Sequence, residues 1–214
     1  MEQLERNRGV LKVPADLTRL FLTAAGLIHA LLLTLFLSLD LMAPALVCLA
    51  GLTLHVLLLP LCARHRRLTM ILGQVEVCLC SVILTQLTGW NSGFYLYVIG
   101  LLGSVSYIGR NCYRIFPLQA MNIATFLLLL AIRPFCSAHL GGRNPALDWV
   151  CAPLFAANLL ITALTLTLCT TRFSLDLGRS HTELLNTNKK LEYLATHDEL
   201  TGLQNRRSMN ELLT

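Results

Sequence analysis

The sequence predicts an all-α membrane protein: a six-helix transmembrane bundle followed by a cytoplasmic signalling helix. Three observations carry that expectation. The composition is 55% hydrophobic and only 14% charged, with a mean hydropathy of +0.61, far from that of a soluble domain. Apolar runs almost free of charge recur at lengths near the ~20 residues that a helix rising ~1.5 Å per residue needs to cross ~30 Å of hydrocarbon. After Thr171 the chain turns polar, and Leu177, Leu184 and Leu191 follow at the heptad interval of a coiled-coil seam.

Taken in order, residues 1–19 carry Arg6, Arg8, Lys12 and Arg19 beside Glu2, Glu5 and Asp16, with Pro14 interrupting any long helix, and read as a solvated lead-in. The first span, residues 20–39, lacks a small-residue cleavage site, which favours a retained anchor over a cleaved signal peptide. Asp40 and Pro44 turn the chain into the second span, residues 41–62, which stops at Arg64, His65, Arg66 and Arg67. The third, residues 68–87, holds Gln74, Glu76 and Gln86 and closes at the bend Gly89-Trp90-Asn91-Ser92-Gly93. Residues 94–108 form the fourth and shortest. Its Tyr95, Tyr97 and Tyr107 suit membrane interfaces, and Gly100 with Ser104 offers a small-residue face for close helix contact. The fifth, residues 115–132, takes Pro117 in its first turn. An irregular loop with Pro134, Gly141, Gly142 and Pro145 leads to the sixth, residues 149–171.

Positive charge sets the orientation. With the amino terminus inside, 15 of the 17 Lys and Arg residues fall on cytoplasmic segments and only Arg133 and Arg143 lie outside, so both termini are expected in the cytoplasm. The net charge of +5 is spread along the chain, with no recognition-helix or zinc-finger pattern, which excludes nucleic acid as an expected partner. Six of the eight cysteines lie inside or at the cytoplasmic ends of apolar runs and read as small hydrophobes. Cys136 and Cys151 flank the last external loop, where either a disulfide or two separate thiols fit. Cys78 and Cys80 point to different sides of one helix and are poor candidates for a shared metal. Trp90 and Trp149 suit external interfaces, and Asn122 and Asn158 are placed to bond between helices.

An ionisable side chain inside a span is costly to bury and usually faces the bundle interior. His29, His55 and Glu76 lie nine, seven and eight residues from the cytoplasmic ends of their spans. At ~1.5 Å per residue all three sit roughly 10–14 Å deep, so one intramembrane polar cluster is geometrically allowed. Two imidazoles and a carboxylate can form a hydrogen-bonded knot that fixes helix packing, hold a proton, or ligate a divalent metal or a haem iron.

From Arg172 the leucine interval defines a signalling helix, residues 172–195. With Leu177, Leu184 and Leu191 at d, His181, Asn188 and Ala195 fall at a, and an Asn at a specifies a parallel, in-register pair at some cost in stability. A homodimer through this helix is expected; a single amphipathic helix leaning on its own domain is the other arrangement so short a pattern permits. Gly178 is its weak point.

Residues 194–207 read LATHDELTGLQNRR. Asp198 and Thr201 are placed to satisfy backbone groups freed at the helix end through their side-chain oxygens. The run resembles the opening of the GGDEF domain of bacterial diguanylate cyclases: Asp198, Leu200, Thr201, Gly202, Leu203, Asn205, Arg206 and Arg207 match its Asp-x-Leu-Thr-Gly-Leu-x-Asn-Arg-Arg pattern. The six-span arrangement is more loosely similar to membrane sensor modules of bacterial histidine kinases and cyclases. The resemblance implies that Asp198 and Arg206 hold the junction between signalling helix and catalytic domain by mutual polar contact, without a catalytic role. A domain of that family needs roughly 150 further residues. Its metal-binding carboxylates, guanine-recognising groups and Gly-Gly-Asp/Glu-Glu-Phe turn have no counterpart between Ser208 and Thr214.

The expectation is therefore a bacterial inner-membrane protein in four parts: a lead-in over residues 1–19, a sensor bundle over 20–171, a signalling helix over 172–195 and the start of a GGDEF domain over 196–214. Its function would be the membrane sensory and signal-relay portion of a diguanylate cyclase, which makes cyclic di-GMP from two GTP as a dimer. These 214 residues would lack the active site. No catalytic residue, cofactor or metal ligand is assigned to this chain, and magnesium and GTP are implied only for the missing catalytic domain. The alternative is a non-enzymatic membrane regulator that pairs with related signalling proteins.

Overall fold

In hydrocarbon every backbone N–H and C=O must find its partner within its own segment, and the apolar runs accordingly close on themselves as helices. The computed structural model describes residues 15–108, 115–135, 145–198, 201–205 and 209. Among these the chain forms six α-helices and no strand: α1 Ala15–Ser38, α2 Met42–Leu61, α3 Arg66–Thr88, α4 Leu96–Ile108, α5 Ile115–Ile132 and α6 Pro145–Thr196. The expectations placed on Cys136, Leu200, Arg206 and Arg207, and on the basic lead-in before Ala15, lie outside the described residues. The chain divides into two compact units, Met1–Cys169 and Thr170–Thr214, and α6 contributes to both.

Five helices are long and apolar enough to cross a membrane, which makes this a multi-pass, all-α membrane protein. The fourth differs: the 13 residues of α4 extend only about 20 Å, short of the ~30 Å hydrocarbon core. The sixth apolar span begins at Trp149, as expected, and the helix that carries it starts four residues earlier at Pro145, because a proline has no N–H to lose in the first turn of a helix. The sixth span and the signalling helix are one element, and it passes Gly178 unbroken.

Sharp turns connect the first helices. Asp40 takes a positive φ of 57° between α1 and α2. Between α3 and α4 the bend is a 3-10 turn, Trp90–Ser92, framed by Gly89 at φ 89° and Gly93 at φ 80°. Ser92 Oγ accepts from Thr88 Oγ1 at 2.8 Å and donates to the Gly89 carbonyl at 2.7 Å. Trp90 stacks on Tyr95 with ring centroids 4.1 Å apart, and the Arg133 guanidinium lies 5.1 Å from the Trp90 ring. These are the amphipathic rings expected near a membrane interface.

Helix α3 is the centre of the first unit: half of its apolar window is buried, against 17% for α5. That enclosure explains its composition. Its buried positions include Thr69, Gln74, Glu76, Ser81, Thr85 and Thr88, while Leu27, Leu31 and Phe116 on the outer helices are 67%, 70% and 83% exposed. Lipid tails are as apolar as leucine, so burying leucine between helices gains little, and polar and small residues define the contacts instead. Gln74 donates to the Leu118 carbonyl at 2.9 Å and to Asn122 Oδ1 at 2.8 Å, tying α3 to α5. Gln119 donates to the Leu102 carbonyl and to Ser106 Oγ, tying α5 to α4. Tyr97 donates to Asn158 Oδ1 at 2.6 Å while Asn158 Nδ2 donates to the Ser92 carbonyl at 2.8 Å, which joins α4, α6 and the bend. Asn122 and Asn158 thus both bond between helices. The small-residue face of α4 is also used: a Cβ on Gly100 would stand 3.6 Å from Thr162 of α6.

Gly93 tests this packing. A Cβ there would come within 2.8 Å of the Phe155 ring at a backbone angle that side chains disfavour. Gly93→Ala is expected to destabilise the bundle by at least the ~1–2 kcal/mol of a left-handed non-glycine residue. Thermal unfolding of detergent-purified protein, followed by circular dichroism, measures this.

Candidate functional site

Helices α1, α2 and α3 bring His29, His55 and Glu76 together. The three sit between two apolar layers: Leu22, Leu58 and Cys62 on one side, and Leu32, Phe36, Ala45, Cys48 and Leu84 on the other. Glu76 Oε1 lies 3.1 Å from His29 Nε2, and Oε2 lies 2.9 Å from His55 Nε2. All three side chains are buried, at 6%, 1% and 7% exposure, so no solvent dilutes the interaction. The carboxylate bridges two imidazoles whose ring centroids are 5.3 Å apart at an interplanar angle of 52°.

The proton pattern is legible from the partners. His29 Nδ1 is 2.8 Å from the Ala25 carbonyl oxygen, one turn back on the same helix. A carbonyl can only accept, so His29 carries a proton on Nδ1 and, when neutral, presents the Nε2 lone pair to Glu76. A lone pair and a carboxylate oxygen cannot rest 3.1 Å apart without a proton or a cation between them. His55 uses Nε2 toward Glu76, and its Nδ1 is buried with no hydrogen-bond partner.

Two residues complete the site that sequence reasoning did not assign to it. Gly51 of α2 has no side chain where one would overlap both the His29 ring and Glu76 Oε1, and the three helices close on the cluster only because of that gap. Cys80 donates its thiol proton to Glu76 Oε1 at 2.8 Å. Cys78 and Cys80 do point apart, as expected, with Cys78 directed to Asn122 Oδ1 at 3.5 Å. Considering them only as a pair hid the relevant spacing, since Cys80 lies four residues after Glu76 and therefore on the same helix face. No such signal marked Gly51, whose role depends on the crossing of α2 over its neighbours.

A cavity of about 100 Å³ opens beside His29 and is lined by Tyr97, Gly100, Ser104 and Thr162 among mostly apolar neighbours. Thr162 Oγ1 is buried without a hydrogen-bond partner. The thiol of Cys151 lies 3.7 Å from the Thr88 carbonyl.

In the second unit the matched run forms a compact turn after Thr196. Asp198 Oδ1 accepts from the Thr201 backbone N–H and from Thr201 Oγ1, both at 3.0 Å. The Asp198 N–H donates to the Leu203 carbonyl, Gly202 N–H returns to the Asp198 carbonyl, and Gly202 holds φ 68°. A bridge pairs His197 with Gln204. Asn205, a matched residue given no role beforehand, donates from Nδ2 to the Ala195 carbonyl at 2.7 Å and from its backbone N–H to the Thr196 carbonyl at 2.8 Å. Asn205 thereby ties the turn to the last carbonyls of α6, which a helix end leaves without partners. On α6 the heptad residues Leu177, Leu184 and Leu191 are 58%, 61% and 58% exposed, and Asn188 is exposed beside them.

Fold and site together define an all-helical, multi-pass membrane protein with a buried His-His-Glu cluster and a hydrogen-bonded turn at the end of its longest helix. No protein-family model matches the sequence, and no match is found among curated proteins or among solved structures.

Gly51→Ala is expected to destabilise the protein by roughly 1–3 kcal/mol, because overpacking against His29 and Glu76 outweighs the ~1 kcal/mol that alanine gains in a helix. Gly26→Ala is the control: its Cβ would meet His55 Cβ at an ordinary 3.6 Å, so equal or higher stability is expected. Thermal unfolding of both variants decides the comparison.

Proposed function

We propose that this chain is the membrane sensory and signal-relay portion of a diguanylate cyclase in the bacterial inner membrane, with both termini cytoplasmic. The observation that carries the reading is the turn over residues 198–205. Its Asp198, Thr201, Gly202, Leu203 and Asn205 match the opening of the GGDEF domain, and each takes part in the hydrogen bonds or the left-handed glycine that shape the turn. The stretch of α6 that leaves the sixth span and runs past Gly178 to Thr196 contains no proline and stays helical, which supports a mechanical relay; the interior proline, Pro153, lies within the span. The exposed heptad leucines support pairing with a second copy, with Asn188 setting the register. A stimulus in the bundle would then alter how the two relay helices pack, and so whether two catalytic domains meet over GTP and magnesium.

A chimera tests the proposal. Residues 1–205 are joined in phase to the catalytic remainder of a diguanylate cyclase stripped of its own sensor, and cyclic di-GMP is measured in a cyclase-deficient bacterium. The expected result is a membrane-bound, active chimera. Inserting two residues after Leu184, or replacing Asp198 by Ala, should change output within the roughly 5- to 150-fold range of typical coupling energies. Output indifferent to both changes would overturn the relay. In that case, depression of a co-expressed intact cyclase by the unfused chain would favour a non-enzymatic regulator that pairs with related proteins.

A further inference from the structure

We propose that His29, His55 and Glu76 bind a divalent transition-metal ion of the zinc type inside the helix bundle, with Cys80 hydrogen-bonded to the carboxylate beside them. The inference rests on the cluster alone and is independent of the relay reading. Candidate ligand atoms of the three residues all lie within 4.8 Å of one another. A tetrahedral ion with bonds of ~2.0–2.1 Å holds its ligand atoms about 3.3 Å apart. The two nitrogen–oxygen separations, 3.1 Å and 2.9 Å to different oxygens of Glu76, are close to that spacing, and any wider separation in the cluster has to close toward it around the ion.

Three features favour a cation over hydrogen bonds alone. His29 is fixed by the Ala25 carbonyl in the tautomer that directs the Nε2 lone pair inward, the outer contact that ligating histidines usually make. Gly51 lets α2 close directly onto His29 Nε2 and Glu76 Oε1, so that donor atoms from three helices converge. The cavity bordering His29 offers room on one side for a water or small ligand at an open coordination position.

The donor set selects the ion. Two imidazoles, one carboxylate and a neighbouring thiol suit zinc and its first-row neighbours; magnesium and calcium demand an all-oxygen shell. Haem is excluded by geometry: ring centroids 5.3 Å apart, with one carboxylate shared between the rings, leave no space for a macrocycle.

The test uses the full chain, purified in detergent through a tag without histidine, stripped with chelator and dialysed against zinc or cobalt(II). Elemental analysis of wild type is expected to find about one ion per chain, and the cobalt form should show the intense visible bands of tetrahedral coordination. Glu76→Gln, which preserves side-chain size while removing the charge, should lower zinc occupancy at least tenfold, as should His55→Ala. Cys80→Ser should retain the ion, because the hydroxyl can keep the hydrogen bond to Glu76. Circular dichroism establishes that each variant remains helical, and the Gln substitution keeps the test decisive if His55→Ala unfolds. Wild type that stays helical yet takes up less than a tenth of an ion would overturn the proposal. Equal zinc uptake by wild type and a His29→Ala/His55→Ala/Glu76→Gln variant would also overturn it, because the ion would then sit at other histidines or thiols.

Discussion

Glu76 is the constraint on which the bundle depends. A carboxylate in an apolar interior must be given partners, and it obtains them from two other helices: His29 on α1, His55 on α2, with Cys80 on its own helix. Satisfying it fixes the relative height and rotation of α1, α2 and α3. That arrangement in turn demands Gly51, because no side chain fits where α2 passes the cluster. Elsewhere in the unit the same logic recurs with neutral groups. Gln74 and Asn122 lock α3 to α5, and Tyr97 with Asn158 locks α4 to α6. Each is a hydrogen bond that lipid cannot replace, whereas leucine contacts between helices exchange freely for contacts with acyl chains.

The second unit solves a different problem. The end of a long helix leaves carbonyls without partners, and a chain that must reverse there needs a turn stiff enough to keep its direction. Asn205 supplies the tie to Ala195 and Thr196, while Asp198 and Thr201 organise the turn between. Both faces of this residue set are therefore architectural. The exposed Leu177, Leu184 and Leu191 show the opposite economy, with apolar groups left on the surface at a regular interval.

Much of the fold was legible along the chain because a membrane imposes a one-dimensional rule: enough apolar residues in succession make a span, and charge or Gly and Pro end it. The cluster was legible for a related reason, since depth in a membrane can be counted from helix ends, and three ionisable residues at one depth invite a meeting. Cys80 was missed although a four-residue spacing from Glu76 was in plain view, because it was weighed against Cys78 instead of against the carboxylate. The shortness of α4 could be seen, but not its lateral seat against Gln119 of α5 and the Asn158 turn of α6.

By itself the sequence determined the solvent, the number and order of helices and the depth of each polar side chain, since these follow from hydropathy and the fixed rise of a helix. It also carried the matched run from Asp198 onward. Only tertiary structure decided which face of each helix turned inward, that one carboxylate would serve two imidazoles, and that Gly51 had to be bare. Rotation about a helix axis leaves hydropathy almost unchanged in a span that is apolar all round, so the choice rests with a few hydrogen bonds and close contacts made between helices distant in sequence.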